Sequence, residues 1–162
     1  MKSRVLRCLF ASTLMASSPV FADALKSQLY SDLVVPILNA KCVGCHGADK
    51  QKGKLRVDSL EAIMKGGGDG VSVVAGKIAE SPLIQRVNLP IADDEHMPPE
   101  DKEQLTAEET AVLSFWIASG AKGTGLVGDF KPDEKTAAAA THVLGNLPKA
   151  SDKLTKADAP KG

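Results

Sequence analysis

Cys42-Val43-Gly44-Cys45-His46 is the stretch on which the reading of this chain turns. Two thiols separated by two residues can both reach one edge of a porphyrin and add to its vinyl groups. The residue that follows then lies beneath the metal and supplies an imidazole. Cys-x-x-Cys-His is therefore the attachment signature of a c-type haem, with Cys42 and Cys45 as tethers and His46 as proximal ligand. Other chemistries use parts of this pattern. A redox dithiol opens a helix after a strand, whereas the residues before Cys42 have a helical pattern and the motif closes the helix. A zinc site from Cys42, Cys45, His46 and His96 would need separated ligand pairs, which adjacent Cys45 and His46 supply poorly. A Cys42–Cys45 disulfide would be tight and strained. One covalent haem c is the expectation.

The chain ahead of the motif reads as an export signal. Lys2, Arg4 and Arg7 precede a short apolar run from Leu6 to Met15, and Val20-Phe21-Ala22 offers a cleavage site after Ala22, with Ala24 as the alternative. The run is shorter than the roughly 20 residues of a spanning helix, so no stable membrane anchor is expected. Cys8 has no small-residue lipobox before it. Removal of residues 1–22 takes three basic residues and no acidic one, leaving 17 basic against 20 acidic. A mildly acidic chain of about 140 residues is one domain, with no basic face for nucleic acid. Its cysteines are then only Cys42 and Cys45, and its aromatic residues are few. A covalently held porphyrin would supply the large apolar body that such a core lacks.

The remaining elements read as helices. Leu29, Leu33, Val34, Ile37 and Leu38 predict a helix over 27–41 with an irregularity at Pro36. Leu55-Arg56-Val57 is a short extended piece. Asp58 or Ser59 caps a short helix that Gly66 stops, and Gly66 to Gly70 wraps as a loop. That loop has neither the Gly-Lys-Ser/Thr ending nor the strand–loop–helix setting of a phosphate cradle. Ser81-Pro82 opens a helix, with Ser81 as cap, that Pro90 ends. Thr106-Ala107-Glu108-Glu109 is a capping box, and Val112, Leu113, Trp116 and Ile117 form the apolar stripe of the helix that Gly120 stops. This helix is expected to cross the first. Gly123, Gly125 and Gly128 read as a linker, Pro132-Asp133-Glu134 begins an Ala-rich helix to about 144, and the Lys-rich residues from Pro148 read as disordered. His142 is expected on an exposed face.

Met97 is the candidate distal ligand. After export the chain retains two methionines, and Met64 shares a helix face with Leu60 and Ile63, where packing is its ordinary role. Met97 follows the acidic Asp93-Asp94-Glu95 loop and precedes Pro98-Pro99, which stiffen the chain. A thioether opposite an imidazole favours ferrous iron and raises the reduction potential. His96 is the rival; a second imidazole would lower the potential.

The ordered set Pro36-Ile37-Leu38, Lys41-Cys42-Val43-Gly44-Cys45-His46-Gly47, Leu55-Arg56-Val57-Asp58-Ser59, Lys65-Gly66-Gly67, Ser81-Pro82-Leu83-Ile84, Met97-Pro98-Pro99, Leu105-Thr106, Trp116-Ile117 and Gly120-Ala121 resembles the planctomycete-type cytochrome c domain over about residues 27–121. The resemblance implies the class I cytochrome c fold, with Cys42 and Cys45 holding haem, His46 proximal and Met97 distal. In that family the domain is usually one module of a larger protein, whereas here it is followed by an unfamiliar tail. The expectation is an all-α cytochrome c fold, a few helices around one covalent haem. Residues 1–22 are the signal peptide, 23–121 the cytochrome domain and 122–162 a C-terminal extension. The expected product is a periplasmic, monomeric electron carrier between redox protein partners. No cluster suggests a bound substrate or a general base, so an enzyme is not expected. Two other readings are a haem-based gas or redox sensor, in which Met97 dissociates, and a subunit docked to a dehydrogenase through the tail.

Overall fold

The helix signals in the sequence set where the chain winds, and the apolar stripes set how the helices meet. A computed structural model describes residues 19–146. Residues 1–18 of the expected signal peptide and the tail from Pro148 lie outside the described residues. The described elements are helical: α1 (Pro19–Lys26), α2 (Val35–Lys41), α3 (Leu60–Lys65), α4 (Pro82–Val87), α5 (Ala107–Ala118) and α6 (Glu134–Asn146). Among the described residues there is no β-strand, only isolated bridges such as Gln28 with Leu126. The all-α class expected from the sequence is the class observed. Ala22, the expected cleavage point, lies within α1.

The helix expected over 27–41 forms in two windings. Leu29–Val34 is π-helical, with the Val35 N–H donating to the Tyr30 carbonyl, and α2 continues from Val35. Pro36 has no N–H to give to the carbonyl four residues back, and a wider turn ahead of it takes up the interruption. Leu29, Leu33, Val34, Ile37 and Leu38 are all buried, as their spacing requires.

The capping box forms as read: Thr106 Oγ1 accepts the Glu109 N–H at 3.1 Å and Glu109 Oε2 accepts the Thr106 N–H at 2.8 Å. On α5, Val112, Leu113, Trp116 and Ile117 are each at most 1% exposed. Burying each of these side chains contributes about 1.5–3 kcal/mol. The Trp116 ring lies 5.6 Å from that of Tyr30, and its Nε1–H donates to the Lys122 carbonyl at 2.9 Å. The helix therefore packs against the Leu29–Val34 turn of the expected first helix, through this aromatic pair.

Ser59 caps α3 by accepting the Ala62 N–H. Gly66 ends α3 at φ +80°, where an added Cβ would sit 2.2 Å from the Gly70 carbonyl oxygen, so only glycine fits. Ser81 differs from its expected role. It makes no side-chain cap for α4. Its hydroxyl is fully buried, accepts the Val74 N–H at 2.9 Å and donates to the Lys77 carbonyl at 2.8 Å. The 74–81 loop has main-chain groups to satisfy away from water, and Ser81 supplies their partner.

Residues 123–128, read as a linker, are bonded to the start of the π-helical turn. The Leu29 N–H donates to Gly125 O, Val127 N–H to Ser27 O and Gly125 N–H to Gln28 Oε1. The chain then enters α6, which packs on α5 and α1. Ala137, Ala139, Ala140 and Val143 form its buried face, and His142 points to solvent.

Candidate cofactor site

The attachment turn leaves α2 through its last hydrogen bonds. Cys42 N–H donates to Leu38 O, and the Cys45 and His46 N–H groups both return to Cys42 O at 3.0 and 2.9 Å. This places Cys42, Cys45 and His46 on one tight turn. Gly47 is buried behind it, where a Cβ would meet the Val43 carbonyl oxygen at 2.6 Å, so close backbone approach demands a glycine. Both cysteines are unbridged. Burial, and then the nearby Glu109 carboxylate, push the Cys42 thiol up to about 12. Among the described residues, no group of three or more His, Cys, Asp and Glu side chains is assembled to hold a metal ion. The four-ligand zinc alternative is thus not brought together.

The His46 ring is oriented for ligation. Its Nδ1 lies 3.0 Å from the Lys52 carbonyl oxygen, an acceptor, so Nδ1 carries the proton and the Nε2 lone pair is the one available to a metal. The turn is held from outside by two main-chain bonds, Lys52 N–H to Cys45 O and Val57 N–H to His46 O at 2.8 Å. Beside Val57, the Arg56 guanidinium bonds Asp58 at 3.0 and 2.7 Å and holds that carboxyl below the usual carboxylate range. The donor set of two free thiols, an oriented imidazole and a thioether fits a c-type haem.

Met97 is half-buried on the loop after α4, with its N–H donating to Arg86 O at 3.2 Å. The neighbouring His96 is buried and fully engaged. Its Nδ1 lies 2.8 Å from Leu89 O and its Nε2 lies 2.7 Å from Gln104 Oε1. Both ring nitrogens are thus turned toward oxygen partners within the loop rather than left open to iron. Of the two candidates, only Met97 keeps its donor atom free of such partners.

The sequence reading missed two residues that shape this region. Lys41, directly before Cys42, has a side chain only 3% exposed and meets Glu103, Glu109 and the Gln104 carbonyl. Gln104 Nε2 donates toward the Pro98, Pro99 and Lys102 carbonyls, and its Oε1 lies beside His96 Nε2. Neither had a sequence signal beyond its position, since a lone lysine or glutamine carries no spacing pattern.

Comparison with protein families matches residues 42–101 to the family described as Planctomycete cytochrome C. The matched stretch runs from Cys42 past Met97-Pro98-Pro99, so it contains all four candidate ligand and tether residues. Comparisons with curated proteins and with solved structures returned no match. Residues 42–101 therefore support a planctomycete-type cytochrome c domain within an all-α chain, a family whose membership implies covalently bound haem c and haem-based electron transfer.

Proposed function

We propose that this protein is an exported, periplasmic monohaem cytochrome that passes single electrons between redox protein partners. Cys42 and Cys45 tether the haem as thioethers, His46 Nε2 is the proximal ligand, and Met97 supplies the distal thioether. Residues 1–22 are the export signal, 23–121 the cytochrome domain and 122–162 an extension whose helix α6 packs on α5. The bound haem supplies the Fe(III)/Fe(II) couple. The chain's own contribution is to fix the ligands, so that little rearranges when the electron moves.

The observation that carries this reading is the attachment turn, with two unbridged cysteines and a histidine whose Nδ1 is held by Lys52 O. The engagement of both His96 nitrogens supports Met97 as the second ligand. With that ligand pair the potential sits above that of a bis-imidazole centre. The test is Met97→Ala in haem-loaded protein. Its potential falls substantially and its ferrous form binds carbon monoxide readily. An unchanged potential and spectrum would remove Met97 from the iron. Fast stoichiometric carbon monoxide binding by the unaltered protein at neutral pH would favour a sensor over a carrier.

A further inference from the structure

The segment carrying Met97 has few main-chain handles. Pro98 and Pro99 have no N–H, so only their carbonyls can be fixed by hydrogen bonds. One side chain takes both: Gln104 Nε2 donates to Pro98 O at 3.2 Å and Pro99 O at 2.9 Å, and also to Lys102 O at 2.9 Å. The other end of the same amide, Oε1, lies 2.7 Å from His96 Nε2. The main-chain oxygen of Gln104 accepts from Lys41 Nζ at 3.2 Å. Lys41 is covalently next to Cys42, and His96 is covalently next to Met97.

We infer that Lys41, Gln104 and His96 form a polar strut between the haem-attachment turn and the Met97 loop, in which Gln104 is a positioning residue for the Met97 thioether. The inference rests on the reading of Met97 as distal ligand. A thioether is a weak ligand for ferric iron and stays bound only while its loop is held in place. Loss of the Gln104 amide takes the side-chain donor from the Pro98 and Lys102 carbonyls and the partner from one imidazole nitrogen at once, while Pro99 O keeps the Lys102 N–H. The fraction of molecules with the sulfur displaced then rises. An added ligand competes in proportion to that fraction.

The experiment is imidazole titration of the ferric, haem-loaded protein, followed through the weak near-infrared band of the iron–methionine bond. In Gln104→Ala the band weakens and imidazole binds about tenfold more tightly or better, in line with the loss of one or more hydrogen bonds. Haem attachment is retained. In a Met97→Ala background the same change alters imidazole affinity by less than about twofold, because no thioether remains to position. A merely structural role for Gln104 would move both backgrounds alike. If Met97→Ala opens the iron while Gln104→Ala stays within about twofold of the parent, the strut is refuted and the ligand reading stands. If Met97→Ala leaves spectrum and affinity unchanged, the ligand reading fails and the strut falls with it. Should Gln104→Ala not accumulate, Gln104→Glu replaces it under the same criteria; it keeps an oxygen beside His96 and loses the donating end of the amide.

Discussion

Replacing Lys41 with leucine should destabilise the haem-loaded protein by about 3 kcal/mol, and most of that loss should depend on Glu109. The Lys41 side chain is 3% exposed, and its ammonium lies 3.8 Å from Glu109 Oε2, whose side chain is 6% exposed. Removing one member of a tight buried pair costs about 3–5 kcal/mol, because a charge is left without its partner. This pair is longer than an ideal contact, and Glu109 keeps the Thr106 N–H. The electrostatic part is accordingly about 2 kcal/mol. The Gln104 carbonyl loses a donor, which adds about 1 kcal/mol. The arm to Glu103, whose side chain is 80% exposed, adds about 0.5 kcal/mol or less. Glu109→Gln removes the charge and keeps an acceptor for the helix cap. In that background Lys41→Leu should cost about 1–2 kcal/mol less than in the parent. Denaturant unfolding, read by circular dichroism and by haem absorbance at low and high salt, gives all four corners of the cycle. A buried pair responds weakly to salt. Additive single effects, or a Lys41→Leu loss below about 0.5 kcal/mol, would refute the argument.

Three further outcomes follow from the packing and the charges. Trp116→Ala should cost about 3–5 kcal/mol in thermal or denaturant unfolding, since the ring is buried against Tyr30 and its N–H bonds Lys122. Ala140→Asp should destabilise strongly while Ala138→Asp leaves the melting temperature nearly unchanged, because Ala140 is 1% exposed and Ala138 faces solvent. Equal effects would mean that α6 does not pack as described. The Asp58 carboxyl is held down chiefly by its hydrogen bond to Arg56. A depressed folded-state pKa gives stability that is present above the unfolded value and lost as pH falls through the folded one. Asp58→Asn should therefore lower stability at neutral pH and flatten the fall on the acid side, so that variant and parent converge well below about pH 4.

What the sequence made legible was whatever has a local chemical pattern. The Thr106–Glu109 box, the Ser59 cap and the stops at Gly66 and Gly120 each depend on residues a few positions apart, and each forms. The attachment turn is likewise a five-residue signal. Ser81 fooled a local reading because its hydroxyl serves a loop that ends beside it. The role of α6 was hidden for a different reason. Its buried face is mostly alanine, so it has no stripe of large side chains, yet small residues let helices approach closely. Gln104 was invisible because its partners are main-chain carbonyls, which every residue has. His96 and Met97 could not be separated by sequence alone. In the structure both nitrogens of His96 lie on oxygens, and this contact pattern is what favours Met97 in the proposed reading.

The most direct measurement is intact-protein mass, together with the absorption spectrum, for chain produced in a host that attaches haem. The account requires the mass of the processed polypeptide plus a single haem that survives denaturation, with a c-type spectrum that Cys42→Ser and Cys45→Ser together abolish. Colourless protein with the mass of the bare polypeptide would contradict it.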